Sequence, residues 1–310
     1  MAMAVQSQPI QHQHSREYEK YELRFDDDAK LRLKQQNSVT RELLGGSFLP
    51  NNEIERLRSI AASGKRPRIA DIGTGPGDWM FSVRAELRAA NINAIIDGYD
   101  LFPAHFPSLE EQKAEDITFS QLNIHDKDTF PDLEEGYDLV HVRYLTICIT
   151  REQWDGAFDN CISILKPEGT LMWEEIFFDR FKINDREKYQ GATRIFDAGM
   201  ELFLSHGMPI NCGPKLTSLF KTHFKKLDQE EYSTSNLDEG WQRLQAKNMY
   251  MVTREMLLKS LEKGAAGLKE WRLGSMEEGR ELARTSLTDY QNGCLTNMDL
   301  GRWIGTGLVV

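Results

Sequence analysis

Short apolar runs alternate with longer amphipathic segments through the middle of the chain. The runs predict buried β-strands, and the segments between them have the apolar spacing of helices. Strands are predicted over residues 68–72, 94–99, 119–122, 137–142 and from 169 to 173, and helices over 79–90 and 151–165. Strands separated by helices of this length favour a mostly parallel sheet that is covered on both faces. We therefore expect an α/β fold of the Rossmann-like, doubly wound type.

The segments on either side of this alternation are mainly helical. Helices are predicted over residues 16–45 and 52–63, and helical patterns return after residue 175, with two further strand-like stretches at 226–233 and 302–310. We expect one core with a cap. The predicted divisions are a disordered tail (1–15), an N-terminal helical segment (16–64), the Rossmann-like core (65–178), and a helical cap whose C-terminal strands complete the sheet (179–310).

Charge and composition narrow the class of partner. The chain has 310 residues, of which 38 are basic and 48 acidic, so its formal net charge is −10. A protein that grips phosphate backbones usually has a basic patch, and a membrane-spanning helix needs about 20 apolar residues in a row. Neither pattern occurs in this sequence. We therefore expect a small-molecule substrate, with no nucleic acid and no membrane as partner, while the oligomeric state stays open.

The cysteines and the N-terminus bear on the compartment. Cys148, Cys161, Cys212 and Cys294 form no CxxC pair, which favours reduced thiols and predicts no metal site. The first residues are polar and lack the apolar core of a signal peptide. A cytoplasmic location is the resulting expectation.

The strongest local signal is a glycine-rich loop between the first predicted strand and the helix that follows it. Glycines let the backbone turn tightly and approach a ligand closely, and the helix start offers N–H groups to a polar ligand. The residues assigned to ligand binding here are Asp71, Gly73, Thr74, Gly75, Gly77 and Trp79. A dinucleotide fingerprint requires a third small residue, but Asp78 stands there, and its carboxylate would face a pyrophosphate. The loop therefore favours S-adenosyl-L-methionine, which has no phosphate, over NAD.

An acidic residue closes the second predicted strand. Asp100 is expected to accept hydrogen bonds from both ribose hydroxyls of the cofactor, with Leu101 beside it. Asp97 is the less suitable acid, because Asp100 follows the apolar run and ends the strand.

A polar and an apolar residue follow the third predicted strand. Asn123 is expected to bind the exocyclic amine of an adenine, and Ile124 is expected to pack against the ring. Asp126 is the alternative to Asn123 in this role.

Taken in order, these segments resemble class I S-adenosylmethionine-dependent methyltransferases, and more narrowly the fungal LaeA-like (UMTA-like) methyltransferases of secondary metabolism. The group has a segment Y-x-L-P-x-D…R-L before the glycine loop, and this chain has residues 21–26 and then 32–33, with Arg24 in place of the proline. The group's H-x-R motif corresponds to residues 141–143. Its L-K-P-G-G motif and the acids after it correspond to 165–169 and 174–175.

The resemblance covers about residues 18–180 and implies an S-adenosyl-L-methionine-dependent methyltransferase. The implied substrate is a small, mainly apolar molecule of fungal secondary metabolism. Tyr21 is then expected to lie near the cofactor. Arg143, at the end of a central strand, is expected to hold the cofactor carboxylate or a loop acid.

The catalytic base is left open. Methyl transfer to a hydroxyl or carbon acid needs a base, whereas an amine nucleophile needs none. His141, Glu174 and His206 are the candidates, with Glu175 beside them. Two other functions also stay open: a cofactor-binding cyclase or pericyclase on the same fold, and a non-catalytic LaeA-like regulatory protein, for which a nuclear location is the alternative.

The N-terminal segment around Tyr18, Tyr21 and Phe25 is expected to form part of a lid over the substrate, together with the insertion after the fifth strand. Deleting residues 1–28 should abolish methyl transfer while circular dichroism shows a folded sheet, because an open site admits water to the reacting groups. Full-rate transfer by the truncated protein would contradict this part of the lid.

Overall fold

The computed structural model describes residues 27–309, and within them the expected Rossmann-like α/β fold is confirmed. The strands are β1 (Arg68–Ile72), β2 (Ile95–Asp100), β3 (Ile117–Gln121), β4 (Tyr137–Arg143), β5 (Leu165–Ile176), β6 (Lys182–Ile183), β7 (Phe224–Ser233), β8 (Thr296–Asn297) and β9 (Asp299–Leu308). Seven of them form one sheet in the order β3-β2-β1-β4-β5-β9-β7, in which β9 runs antiparallel to both of its neighbours. Strands β6 and β8 pair separately.

The helices lie mainly on the two faces of the sheet and at its cap. They are α1 (Asp27–Leu43), α2 (Asn51–Ala62), α3 (Asp78–Ala89), α4 (Leu109–Glu115), α5 (Trp154–Ser163), α6 (Gln190–Ser205), α7 (Gly213–His223), α8 (Glu239–Glu262), α9 (Ala265–Glu270) and α10 (Met276–Gln291). The predicted helix over 16–45 is thus described only from residue 27. The predicted tail at 1–15 and Tyr21 lie outside the described residues.

Each face of the sheet has its own apolar core. On one face, α2 and α3 bury Leu57, Trp79 and Val83 against the central strands. On the other face, the core is built largely from rings on α5, α7 and the strands: Trp154, Phe158, Phe220, Trp173 and Trp303. Complete burial of one such side chain contributes about 1.5–3 kcal/mol. These contacts explain why the central strands read as continuous apolar runs.

Strand β5 begins earlier than the pattern indicates. Leu165 pairs with Tyr137 on β4, but the next pair along is Thr170 with Leu139, so the residues between form an irregularity in the ladder. This stretch contains Pro167, which has no N–H to donate to the ladder, and its neighbours are polar. Neither feature is typical of a buried strand. The sequence pattern therefore predicts this strand only from Gly169, whereas β5 begins at Leu165.

The cap is formed mainly by α6, α8 and α10, which pack together around a separate apolar cluster. The helical pattern at 238–290 is divided into three helices. The first break lies at Gly264, whose φ of 64° is in the left-handed region that favours glycine. Helix α8 also contacts α1, so the cap and the N-terminal segment meet above the sheet. Within residues 27–309, every helix is either too short or too polar to span a membrane.

A buried ionic network ties the centre of the sheet together. Glu174 on β5 is fully buried, and its Oε1 accepts a hydrogen bond from Arg302 Nε on β9 at 2.7 Å. Its Oε2 lies 3.6 Å from His141 Nε2, and His141 Nδ1 lies 2.7 Å from Asp71 Oδ1. Burial alone would raise the pKa of Glu174, but Arg302 and His141 hold it well below its usual range. Arg302 also donates to the carbonyl of Phe48, which fixes the segment before α2.

Replacing Arg302 with methionine should lower the free energy of unfolding by about 3–5 kcal/mol, because the Glu174 carboxylate would stay buried without its partner. Equilibrium unfolding in urea measures this change. Arg280→Met is the matched control, since Arg280 forms only an exposed ion pair with Glu277. We expect the control to lower the free energy of unfolding by at most about 1 kcal/mol. Equal losses in both variants would contradict a structural role for the buried pair.

Candidate functional site

One large cavity of about 590 Å³ lies at the carboxyl ends of the parallel strands. Ile72 of β1, Asp100 of β2, Arg143 of β4 and Ile176 of β5 line it, and residues of α1 and α8 line the opposite side. Its size is within the range of small-molecule sites, and doubly wound sheets bind their ligands at this edge. The cavity is therefore the candidate site.

The glycine loop enters the cavity from β1. Gly73 and Gly75 line it, with φ of 73° and 55°, and the N–H groups of Gly73 and Thr74 both donate to the carbonyl of Tyr99 on β2. Gly77, with φ of 84°, caps α3 and does not line the cavity; a Cβ there would lie 2.4 Å from Phe119. Gly77 therefore has a structural role: without a Cβ, it lets α3 begin close to Phe119 of β3. Thr74 also lines the cavity.

Backbone N–H groups hold both carboxylate oxygens of Asp100. Its Oδ2 accepts from Gly75 N–H at 2.7 Å, and its Oδ1 accepts from Phe102 N–H at 2.9 Å. The backbone of Leu101 also donates to this carboxylate. A carboxylate has about four lone-pair sites, so these three backbone donors do not saturate Asp100. Burial raises the pKa of Asp100 to about 6, against those backbone hydrogen bonds. Asp97 is engaged away from the cavity, where it accepts from Tyr137 Oη at 2.8 Å.

An apolar slot continues from Asp100. Leu101, Phe102, Leu122 and Ile124 line it, and Asn123 lies between the last two with its Oδ1 accepting from His125 N–H at 3.0 Å. Asp126 caps the short helix after β3 by accepting from Asp128 N–H, and it does not line the cavity. The arrangement favours Asn123 over Asp126 as the residue facing an adenine.

The candidate bases have very different surroundings. His141 is buried, stacks on Trp79 with 3.8 Å between ring centroids, and has a carboxylate against each ring nitrogen. Glu174 is fully buried and does not line the cavity. These placements do not favour either residue as a base, because His141 is buried between two carboxylates and Glu174 lies away from the cavity. His206, at the end of α6, is partly exposed and lines the cavity.

Glu175, the neighbour of Glu174, faces the cavity side. Its carboxylate accepts from Leu145 N–H, Thr146 N–H, Thr146 Oγ1 and Trp173 Nε1 at 2.7–3.1 Å. Burial raises the pKa of Glu175 to about 7, although these hydrogen bonds oppose the rise. Because two donors already occupy each oxygen, Glu175 holds the loop after β4 in position.

Arg143 connects the sheet to α1. It lines the cavity, donates from Nη2 to Asn37 Oδ1 at 2.7 Å, and lies over the ring of Phe48. Its Nη1 is 3.9 Å from Glu174. Arg143 thus contacts α1, and its role towards the cofactor carboxylate or a loop acid stays a prediction.

Four residues with amide side chains line the cavity but belong to no recognisable sequence motif. Gln36 and Asn37 on α1, and Gln245 and Asn248 on α8, line the cavity. In sequence they are ordinary polar positions of amphipathic helices. Only the packing of α1 against α8 brings them to the site.

Comparison with known proteins agrees with this geometry. Residues 69–169 match the family described as methyltransferase domain. Methyltransferase grgD of a Penicillium species is 31% identical over 161 residues, which cover 50% of this chain and 52% of that protein. The secondary metabolism regulator laeA of Fusarium oxysporum f. sp. lycopersici is 32% identical over 139 residues, covering 44% of this chain and 40% of that protein. The chain therefore spans about half the length, or less, of these curated relatives.

Among solved structures, phospholethanolamine N-methyltransferase 2 of Haemonchus contortus is 14% identical, with a TM-score of 0.40 and coverage of 88% of this chain and 57% of that one. The [4+2]-cyclase SpnF is 16% identical, with a TM-score of 0.39 and coverage of 87% and 92%. The family match rests on the segment that holds β1, the glycine loop, Asp100 and β4. Over that segment, the chain is similar to methyltransferase domains.

Proposed function

We propose that the protein transfers a methyl group from S-adenosylmethionine to a small, mainly apolar molecule of fungal secondary metabolism. The observation that carries the proposal is a single cavity with two different ends. One end has the glycine loop and Asp100, and the other has an apolar wall that includes Ile147, Phe178 and Met249. A cavity of this kind suits a polar cofactor beside an apolar substrate.

The residues present fit the cofactor. The Asp100 carboxylate lines the cavity and keeps acceptor capacity for a ribose hydroxyl beside its backbone donors. Ile124 and Leu101 offer an apolar slot for the adenine, with Asn123 at its edge. Asp71 and Arg143 supply opposite charges near the glycine loop, for the amino acid end. When bound, the cofactor supplies an electrophilic methyl group on a cationic sulfur.

The chain's own contribution is mainly to orient and enclose the reactants, which accounts for a large part of the rate of such displacements. Glu175 holds the loop after β4, and Arg143 with Asn37 holds α1 over the cavity. We infer that His206 accepts the substrate proton where a base is needed. His206 is partly exposed and lines the cavity. By contrast, His141 is buried between carboxylates, and the carboxylate of Glu175 is saturated with donors. Glu174 is buried away from the cavity.

Incubation with methyl-labelled S-adenosylmethionine and extract of the producing organism tests the proposal. We expect label in an extractable small molecule. Conversion of a substrate without label would instead indicate a cyclase, and cofactor binding without any conversion would indicate a regulatory protein.

Asp100→Ala should weaken binding of S-adenosylhomocysteine at least about tenfold, because it removes the charged acceptor of a ribose hydrogen bond. Titration calorimetry measures the Kd. Asp97→Ala is the control, since Asp97 is an acid of the same strand that does not line the cavity, and its affinity should stay near that of the wild type. NAD should not bind. An unchanged Kd in a folded Asp100→Ala protein would show that another acid holds the ribose.

The affinity for S-adenosylhomocysteine should also depend on pH. The pKa of Asp100 is raised to about 6 in the free protein, so the carboxyl group becomes protonated as the pH falls through that value and loses an acceptor. We expect the Kd to rise as the pH is lowered from about 7.5 to 5, and calorimetry at several pH values measures it. Asp100→Ala should abolish this dependence; its persistence would assign the titration to another group.

A further inference from the structure

An amide side chain on the cap side of the cavity has no hydrogen-bond partner in the described part of the chain. Asn248 on α8 lines the cavity and is 4% exposed. Neither its Nδ2 nor its Oδ1 makes a hydrogen bond within residues 27–309. A buried amide without a partner lowers the stability of the free protein, so its presence calls for a physical reason.

The residues of α8 that line the cavity are uncharged, although Arg32 of the packed helix α1 and Lys263 just after α8 line it too. Positions three or four apart share one helix face, and here they are Gln245, Asn248, Met249 and Val252, all of which line the cavity. Gln245 has only a weak acceptor for its amide nitrogen, Met298 Sδ at 3.3 Å. This face therefore offers neutral polar atoms within an apolar wall.

The chemistry of a primary amide defines what would satisfy it. Asn248 presents a donor and an acceptor side by side. A carboxylate only accepts and an ammonium group only donates, so either would leave one amide atom unpaired. A primary carboxamide or a lactam presents a carbonyl and an N–H on one edge and pairs with both atoms.

We propose that Asn248 is a specificity-determining residue, and that the substrate carries a primary carboxamide or lactam edge on an otherwise apolar body. The inference rests on the proposed methyl transfer, because it assigns the substrate end of the same cavity. Asn248 belongs to that end, since it lies on α8 of the cap, whereas Asp100 and the glycine loop lie at the strand ends of the sheet.

Two small probe molecules test whether Asn248 selects a ligand that has both a hydrogen-bond donor and an acceptor. Benzamide has an apolar ring with a carbonyl and an N–H, whereas methyl benzoate has a similar shape and a carbonyl but no N–H. Both are titrated by ligand-observed NMR into the 310-residue protein saturated with S-adenosylhomocysteine. We expect the wild type to prefer benzamide, and Asn248→Leu to reduce that preference by about tenfold.

Gln242→Leu is the matched control, because Gln242 is an amide on the same helix whose Nε2 donates to the carbonyl of Leu237 at 2.8 Å. It should keep the preference for benzamide. The two variants should also change the Tm of the free protein in opposite directions. Asn248→Leu should raise Tm by removing an unpaired buried amide, and Gln242→Leu should lower it by removing a paired one.

The outcomes separate the two levels of the proposal. If the wild type fails to bind S-adenosylhomocysteine in calorimetry, the proposed methyl transfer itself fails. If it binds S-adenosylhomocysteine but shows no preference for benzamide, or if Asn248→Leu keeps the preference, the substrate assignment is overturned. A lower Tm for free Asn248→Leu would overturn it as well, because the amide would then have a partner in the free protein.

Discussion

The burial of one carboxylate, Glu174, constrains the centre of this fold. Removing such a group from water costs several kcal/mol unless charges and hydrogen bonds replace its hydration. Arg143 of β4 and Arg302 of β9 stand opposite Glu174 in the strand registers, and Arg302 makes the close contact. A slip of β9 by one residue would move Arg302 to the other face of the sheet and leave the carboxylate uncompensated. The ion pair therefore specifies the register of the antiparallel strand.

The same network extends from the sheet into the cavity. His141 lies between Glu174 and Asp71 and stacks on Trp79, so it links the interior to the start of the glycine loop and of α3. A histidine with both ring nitrogens against carboxylates is well suited to orient its neighbours and poorly suited to accept a substrate proton. This explains how a residue of the H-x-R motif lines the cavity without being a favourable base.

The sequence predicts those elements whose apolar and polar positions are determined by burial in the sheet or by neighbouring residues. The central strands, the glycine loop and the placement of Asp100 at a strand end follow from apolar runs and loop chemistry, and the Rossmann-like class was confirmed. The early start of β5 was missed, because Pro167 and its polar neighbours lie in an irregular stretch. The surroundings of Glu174 were missed for another reason: its partner Arg302 is 128 residues away in the chain.

The two ends of the cavity are held by different forces, and this difference has a consequence for specificity. The cofactor end is fixed by buried charges that pair across β1, β4, β5 and β9, where one altered residue leaves an uncompensated ion. The cap end is held by the apolar packing of α6, α8 and α10. Apolar packing tolerates volume-conserving exchange at low cost. Changes on the inner face of α8 can therefore alter the choice of substrate while the cofactor end and the sheet beneath it stay intact.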